Sequence, residues 1–149
     1  MKSFTKRSLL AVTTLMLVLA VQSLASAPVL PNPVLYFLGQ EFLTINGKQV
    51  TRYNFDVLNK GEYPDDLFAA SPNLPACGSN TKAARTWVDF YDQSGKRLNG
   101  FCGLGKSADL NGIWFGLETG VVPPSWVYIE LTDRKTNTKY KSNLSDTTL

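Results

Sequence analysis

VLYFLGQEFLTINGKQVTRYNFDVLN, residues 34 to 59, decides the fold class. Two runs rich in β-branched and aromatic residues flank Asn46-Gly47. That dipeptide is the strongest short hairpin signal, because both central residues of a type I′ turn need positive φ. In the return run, Tyr53, Phe55 and Val57 point one way while Arg52, Asn54 and Asp56 point the other, the period-2 signature of a half-buried strand. The first run reads as one strand, or as two broken at Gly39.

The same alternation continues downstream, and helical periodicity is absent there. RTWVDFYD (85–92) and KRLNGFCGL (96–104) flank the turn Asp92-Gln93-Ser94-Gly95. GIWFGLE (112–118) precedes Pro123-Pro124, which lie between strands because proline cannot donate to a central ladder. WVYIELTD (126–133) and TKYKSNL (138–144) form a last hairpin around Lys135-Thr136-Asn137. About seven short strands with turns between them predict an all-β, antiparallel β-sandwich over residues 34–144, with 145–149 as a flexible tail.

Upstream, Lys2, Lys6 and Arg7 precede an apolar run from Leu9 to Val21 and the small residues of Ser23-Leu24-Ala25-Ser26-Ala27. This is the pattern of a signal peptide over residues 1–25, cleaved after Ala25 or, less compatibly with Pro28, after Ala27. The competing reading is an uncleaved anchor, for which the run is short. The expected location is secreted or periplasmic, with no membrane span after processing. Without the three basic residues of the signal, 12 basic residues balance 12 acidic ones. A neutral chain lacks the concentrated basic face that nucleic-acid binding needs.

Two cysteines in an exported chain, Cys77 and Cys102, predict one disulfide closing a loop of 26 residues. Such a loop stabilises by roughly 3.5 kcal/mol in the chain-entropy model. The alternative is a pair of buried free thiols.

Alternation also assigns faces. Val88 and Phe90 oppose Trp87, Asp89 and Tyr91; the aliphatic row Val127, Ile129 and Leu131 opposes Trp126, Tyr128 and Glu130. Ile113, Phe115 and Leu117 are expected inward and Trp114 outward; Leu98, Cys102 and Leu104 inward and Phe101 outward. Trp87, Tyr91, Phe101, Trp126 and Tyr128 would then gather on one outer face. Soluble monomers rarely leave such a patch bare. Either residues 60–84 cover it, or it is a platform for a protein, peptide or glycan, or a bulge at Gly100 or Gly103 reverses the register. Within that segment, DDLFAASPNLPACGSN (65–80) supplies Leu67, Phe68 and Leu74 for a cover, and Cys77 would pin it to Cys102.

On TRYNFDVLNKGEYP and the terminal hairpin PPSWVYIELTDRKTNTKYKSN, the chain resembles immunoglobulin-like and fibronectin type III-like modules of exported bacterial proteins. The resemblance implies the first, second and fifth strands in one sheet and the third, fourth, sixth and seventh in the other. It also implies that residues 60–84 are an enlarged connection between the second and third strands, the B–C segment of that family. The cysteine pair departs from the family, whose disulfide joins the second and sixth strands.

The chain has no histidine. That removes the usual general base, the Ser-His-Asp and Cys-His arrangements, and the commonest metal ligand. No glycine-rich phosphate loop occurs. Carboxylates for a glycosidase would have to come from Glu62, Asp65 and Asp66, or from Asp89 with Glu130. Asp65 and Asp66 lack the oxygen spacing of a dedicated calcium loop. Asn143-Leu144-Ser145 matches a glycosylation sequon. The expectation is an exported, non-catalytic protein without cofactor or metal, binding through the aromatic face or the 60–84 segment. The alternatives are a structural or accessory protein with no ligand site and a small carboxylate-based glycoside hydrolase.

Overall fold

The computed structural model describes residues 29–71, 73–74 and 84–148. The expected signal segment and Cys77, with its disulfide, lie outside the described residues. Eight strands follow in order: β1 (Leu35–Ile45), β2 (Lys48–Val57), β3 (Thr86–Asp92), β4 (Arg97–Cys102), β5 (Ile113–Glu118), β6 (Trp126–Asp133), β7 (Thr138–Lys141) and β8 (Ser145–Asp146). They form an antiparallel β-sandwich. One sheet runs β1-β2-β5 and the other β4-β3-β6-β7, with β8 also pairing β6.

The first hairpin forms as its turn residues require: Asn46 and Gly47 have φ of 52° and 77°, and Ile45 pairs with Lys48. β1 is one continuous strand with a bulge. Phe37 pairs with Phe55 and Gly39 with Asn54, leaving Leu38 as the extra residue. Glycine at position 39 accommodates the φ of 127° that the bulge imposes.

Between the sheets, Phe55, Phe90 and Phe115 meet with ring centroids 5.2 to 5.8 Å apart, joining β2 and β5 to β3. Val127, Ile129 and Leu131 are fully buried, as their aliphatic row requires. The long segment after β2 is described at residues 60–71, 73–74 and 84. It makes two short 3-10 turns, Lys60–Glu62 and Asp65–Leu67, and its apolar residues Tyr63, Leu67 and Phe68 go to the core rather than to the outer sheet face. Backbone and side-chain bonds lash it there: the Arg85 N–H donates to the Ala69 carbonyl, the Thr86 hydroxyl to Leu67, and Tyr63 Oη to Pro31. A two-sheet core open at one edge offers these side chains more burial than a flat outer face does, and burial is roughly proportional to area removed from water.

Residues 145–148, expected as a tail, are also held. β8 pairs with β6, and buried Thr147 donates its hydroxyl to the Pro124 carbonyl. Among the described residues, no helix is long and apolar enough to cross a membrane.

Candidate functional site

The outer face of the β4-β3-β6-β7 sheet carries four of the five aromatic residues assigned to it. Trp87 and Tyr91 project from β3, Trp126 and Tyr128 from β6, because each alternates with a buried neighbour. Tyr91 stands directly opposite Tyr128, and their rings stack at 5.2 Å with 16° between planes. Trp126, at the start of β6, is 42% exposed.

Phe101 is the correction. It pairs with Val88, packs edge-on against Phe90 at 6.2 Å and joins the core. Cys102, expected inward, pairs with Trp87 and so takes the outer side. The cause is a bulge at the start of β4: Tyr91 pairs with Arg97 but Phe90 with Asn99, so Leu98 is an extra residue. One inserted residue exchanges the faces of everything after it. Leu98 and Leu104 still pack against the core. The reversal arises at Leu98, upstream of Gly100 and Gly103, the two positions where the sequence suggests a bulge.

The face is not a bare aromatic surface. The Arg134 guanidinium lies 4.5 Å from the Trp87 ring centroid, and the Lys141 ammonium 4.0 Å from that of Tyr128. Between the aromatic rows, Asp89 stands opposite Glu130. Like charges directly opposite would repel, but each carboxylate has its own cation. Arg97 Nε donates to Asp89 Oδ1 at 2.7 Å, and Lys139 Nζ to Glu130 Oε1 at 2.7 Å. The hydrogen bond to Asp89 raises the pKa of Arg97, and that to Glu130 raises the pKa of Lys139. Gly100 lies beneath the first pair, where a Cβ would strike both partners. The four cations were legible as residues but not as part of the site. For Lys139 and Lys141 the signal was their alternation with Tyr140.

Of the other acidic candidates, Asp65 and Asp66 tie loops. Asp65 accepts from the N–H and hydroxyl of Ser107 at 2.9 and 2.7 Å, which lowers its pKa, and ties the first long connection to the 3-10 turn Ser107–Leu110. Asp66 lies 3.4 Å from Arg85 Nη1. Arg85 in turn binds Asp133 through two hydrogen bonds, Nε to Oδ1 at 2.9 Å and Nη2 to Oδ2 at 2.7 Å. Asp133 also accepts from the Lys135 N–H and the Thr136 hydroxyl. This network borders a cleft of about 480 Å³ floored by Leu30, Pro64, Leu67 and Tyr140. Among the described residues, no three His, Cys, Asp or Glu side chains converge as a metal site.

Asn143, the sequon asparagine, is a clamp. Its Oδ1 accepts from the Leu35 N–H at 2.8 Å, and its Nδ2 donates to the Leu35 carbonyl at 3.1 Å and the Leu144 carbonyl at 2.9 Å. No family model, curated protein or solved structure matches this chain.

Proposed function

We propose that this chain is an exported, non-catalytic binding module, and that its contact surface is the outer face of Trp87, Tyr91, Trp126 and Tyr128. The observation that carries the reading is the stacked Tyr91–Tyr128 pair with exposed Trp126 on the same strand and face. Tyr, Trp and Arg are the residues that dominate binding energy at protein interfaces. The partner is a protein or peptide segment of acidic character. Four cations against three carboxylates, Asp89, Glu130 and Asp146 opposite Trp126, leave this face with a net positive charge, and Arg134 and Lys141 already occupy ring surfaces on which a sugar would stack.

Export rests on the N-terminal pattern, and a Cys77–Cys102 disulfide on the two cysteines of an exported chain. Intact-mass measurement before and after alkylation is expected to find no free thiol. The strand order β1-β2-β5 against β4-β3-β6-β7 agrees with the resemblance to immunoglobulin-like and fibronectin type III-like modules. The absence of histidine from the chain supports the non-catalytic part of the reading.

Titration with an acidic, tyrosine-containing peptide is expected to shift the Trp126 fluorescence, with affinity falling as salt rises. Tyr128→Ala should weaken binding about tenfold or more, the scale of an interface hot spot. A neutral oligosaccharide that binds while the peptide does not would transfer the site to glycans. Indifference of Trp126 to both would leave the reading without support.

A further inference from the structure

Sheet edges present unpaired N–H and C=O groups, and proteins usually guard them. Here β7 carries Lys139 and Lys141, while β4 lies against β5, where Asn99 Nδ2 donates to the Trp114 carbonyl at 3.2 Å. β1 is the outermost strand of its sheet and has neither device. At Leu35 the Asn143 clamp closes the edge, but nothing among the described residues pairs with it beyond. β1 contains no lysine, arginine or proline. Its one charge, Glu41, is taken by Arg52 and by Asn54 Nδ2 on the neighbouring strand.

The pairing fixes which groups are open. The residues closing a two-residue hairpin, Ile45 and Lys48, exchange hydrogen bonds, so Leu43 and Glu41 also bond toward β2. Gln40, Phe42 and Thr44 therefore direct their N–H and C=O groups outward. The bulge at Leu38 changes the phase, which is why Leu35, at odd number, also points away from β2 and meets Asn143. Phe42 pairs with buried Thr51 on the core side of the sheet, yet it is 65% exposed, so the second sheet gives it no cover.

We propose that β1 pairs antiparallel with β1 of a second copy of this chain, about a two-fold axis at Phe42. The segment is self-complementary there. Phe42 meets its twin, and Gln40 faces Thr44 in both directions, giving about six backbone hydrogen bonds. On the opposite side of the sheet Ile45 lies beside Gly39, and Glu41 stands opposite Leu43 rather than another carboxylate. Two three-stranded sheets become one of six strands. The contact is smaller than the ~800 Å² per partner of a standard interface, so the dimer is concentration-dependent.

The experiment is sedimentation velocity on the full chain from about 1 µM to about 1 mM, with residue-resolved hydrogen exchange at both ends of that range. Expected is a monomer–dimer equilibrium, with the amides of Gln40, Phe42 and Thr44 slowing as concentration rises while their neighbours do not change. Phe42→Lys should raise the dissociation constant by at least about tenfold. The substituted side chain is exposed, and an unchanged circular dichroism spectrum checks the fold. Exchange on the unaltered protein decides the question even if the variant fails to fold. A monomer throughout, or association that Phe42→Lys leaves intact, overturns the proposal. So does protection of these amides that is independent of dilution, which would mean that the chain's own residues occupy the edge. If an added β-strand peptide protects them while the protein stays monomeric, the edge takes a different strand and self-pairing is again wrong.

Discussion

Asp133 shows how one side chain can be both buried and charged. It is 3% exposed, at the end of β6, opposite the equally buried Thr86. Burial works to raise its pKa; hydrogen bonds from Arg85, the Lys135 N–H and Thr136 outweigh burial and hold the carboxyl below its ordinary range. A depressed carboxyl contributes stability above the unfolded value, about 3.9, and loses it as pH falls through the folded value. Asp133→Asn is therefore expected to cost about 2 kcal/mol at pH 7, because Arg85 is left half-buried with only the exposed Asp66, 3.4 Å away, as its carboxylate partner. The gap in urea midpoint between the two proteins should close as pH drops from about 4 toward 2. Asn143→Ala removes both bonds to Leu35 and should cost about 1–2 kcal/mol, with faster amide exchange at Leu35 as its local signature.

At the scale of the element, two bulges do opposite things to what alternation predicts. In β1 the bulge at Leu38 keeps Leu35 and Phe37 inward and moves the inward phase to Gln40 and Phe42. In β4 the bulge at Leu98 turns Phe101 inward and Cys102 outward. The β4 assignment has a direct check. Phe101→Ala should destabilise by about 2–4 kcal/mol, because its ring packs on Phe90 and on Trp114. The reverse ranking would be expected had Cys102 been the core residue, so Cys102→Ala is measured under reducing conditions as the comparison. Turn chemistry is the third lever: Gly47→Ala meets no atom within 4 Å but must hold a φ of 77°, and should cost about 1 kcal/mol.

The whole molecule recruits its longest connection as core. Phe68 is fully buried, with Tyr63 edge-on at 6.5 Å, and both lie in the same cluster as Phe55 and Phe90. Phe68→Ala should lower the unfolding free energy by about 3–5 kcal/mol, read as an unchanged urea slope with a reduced midpoint. A mere cover over the outer sheet face would lose far less. Tyr63, Leu67 and Phe68 are committed inward, and over the outer aromatics lie cations from β7 and the β6–β7 turn. These cations give the face its sign, and hence the acidic partner proposed for it.

The sequence by itself determined the sandwich, because Asn46-Gly47 and the strict alternation in 49–57, 86–91 and 126–133 are local signals that no distant contact has to supply. Four of the five aromatic face residues were legible for the same reason. Phe101 was not, since a bulge is a mismatch between two strands and leaves no mark in either one. Nor was the destination of Leu67 and Phe68: their apolarity says that they will be buried, and only the packed sheets decide against what. Which cation lies over which ring, and which strand edge is left open, are relations between residues far apart in the chain, and only the tertiary structure decided them.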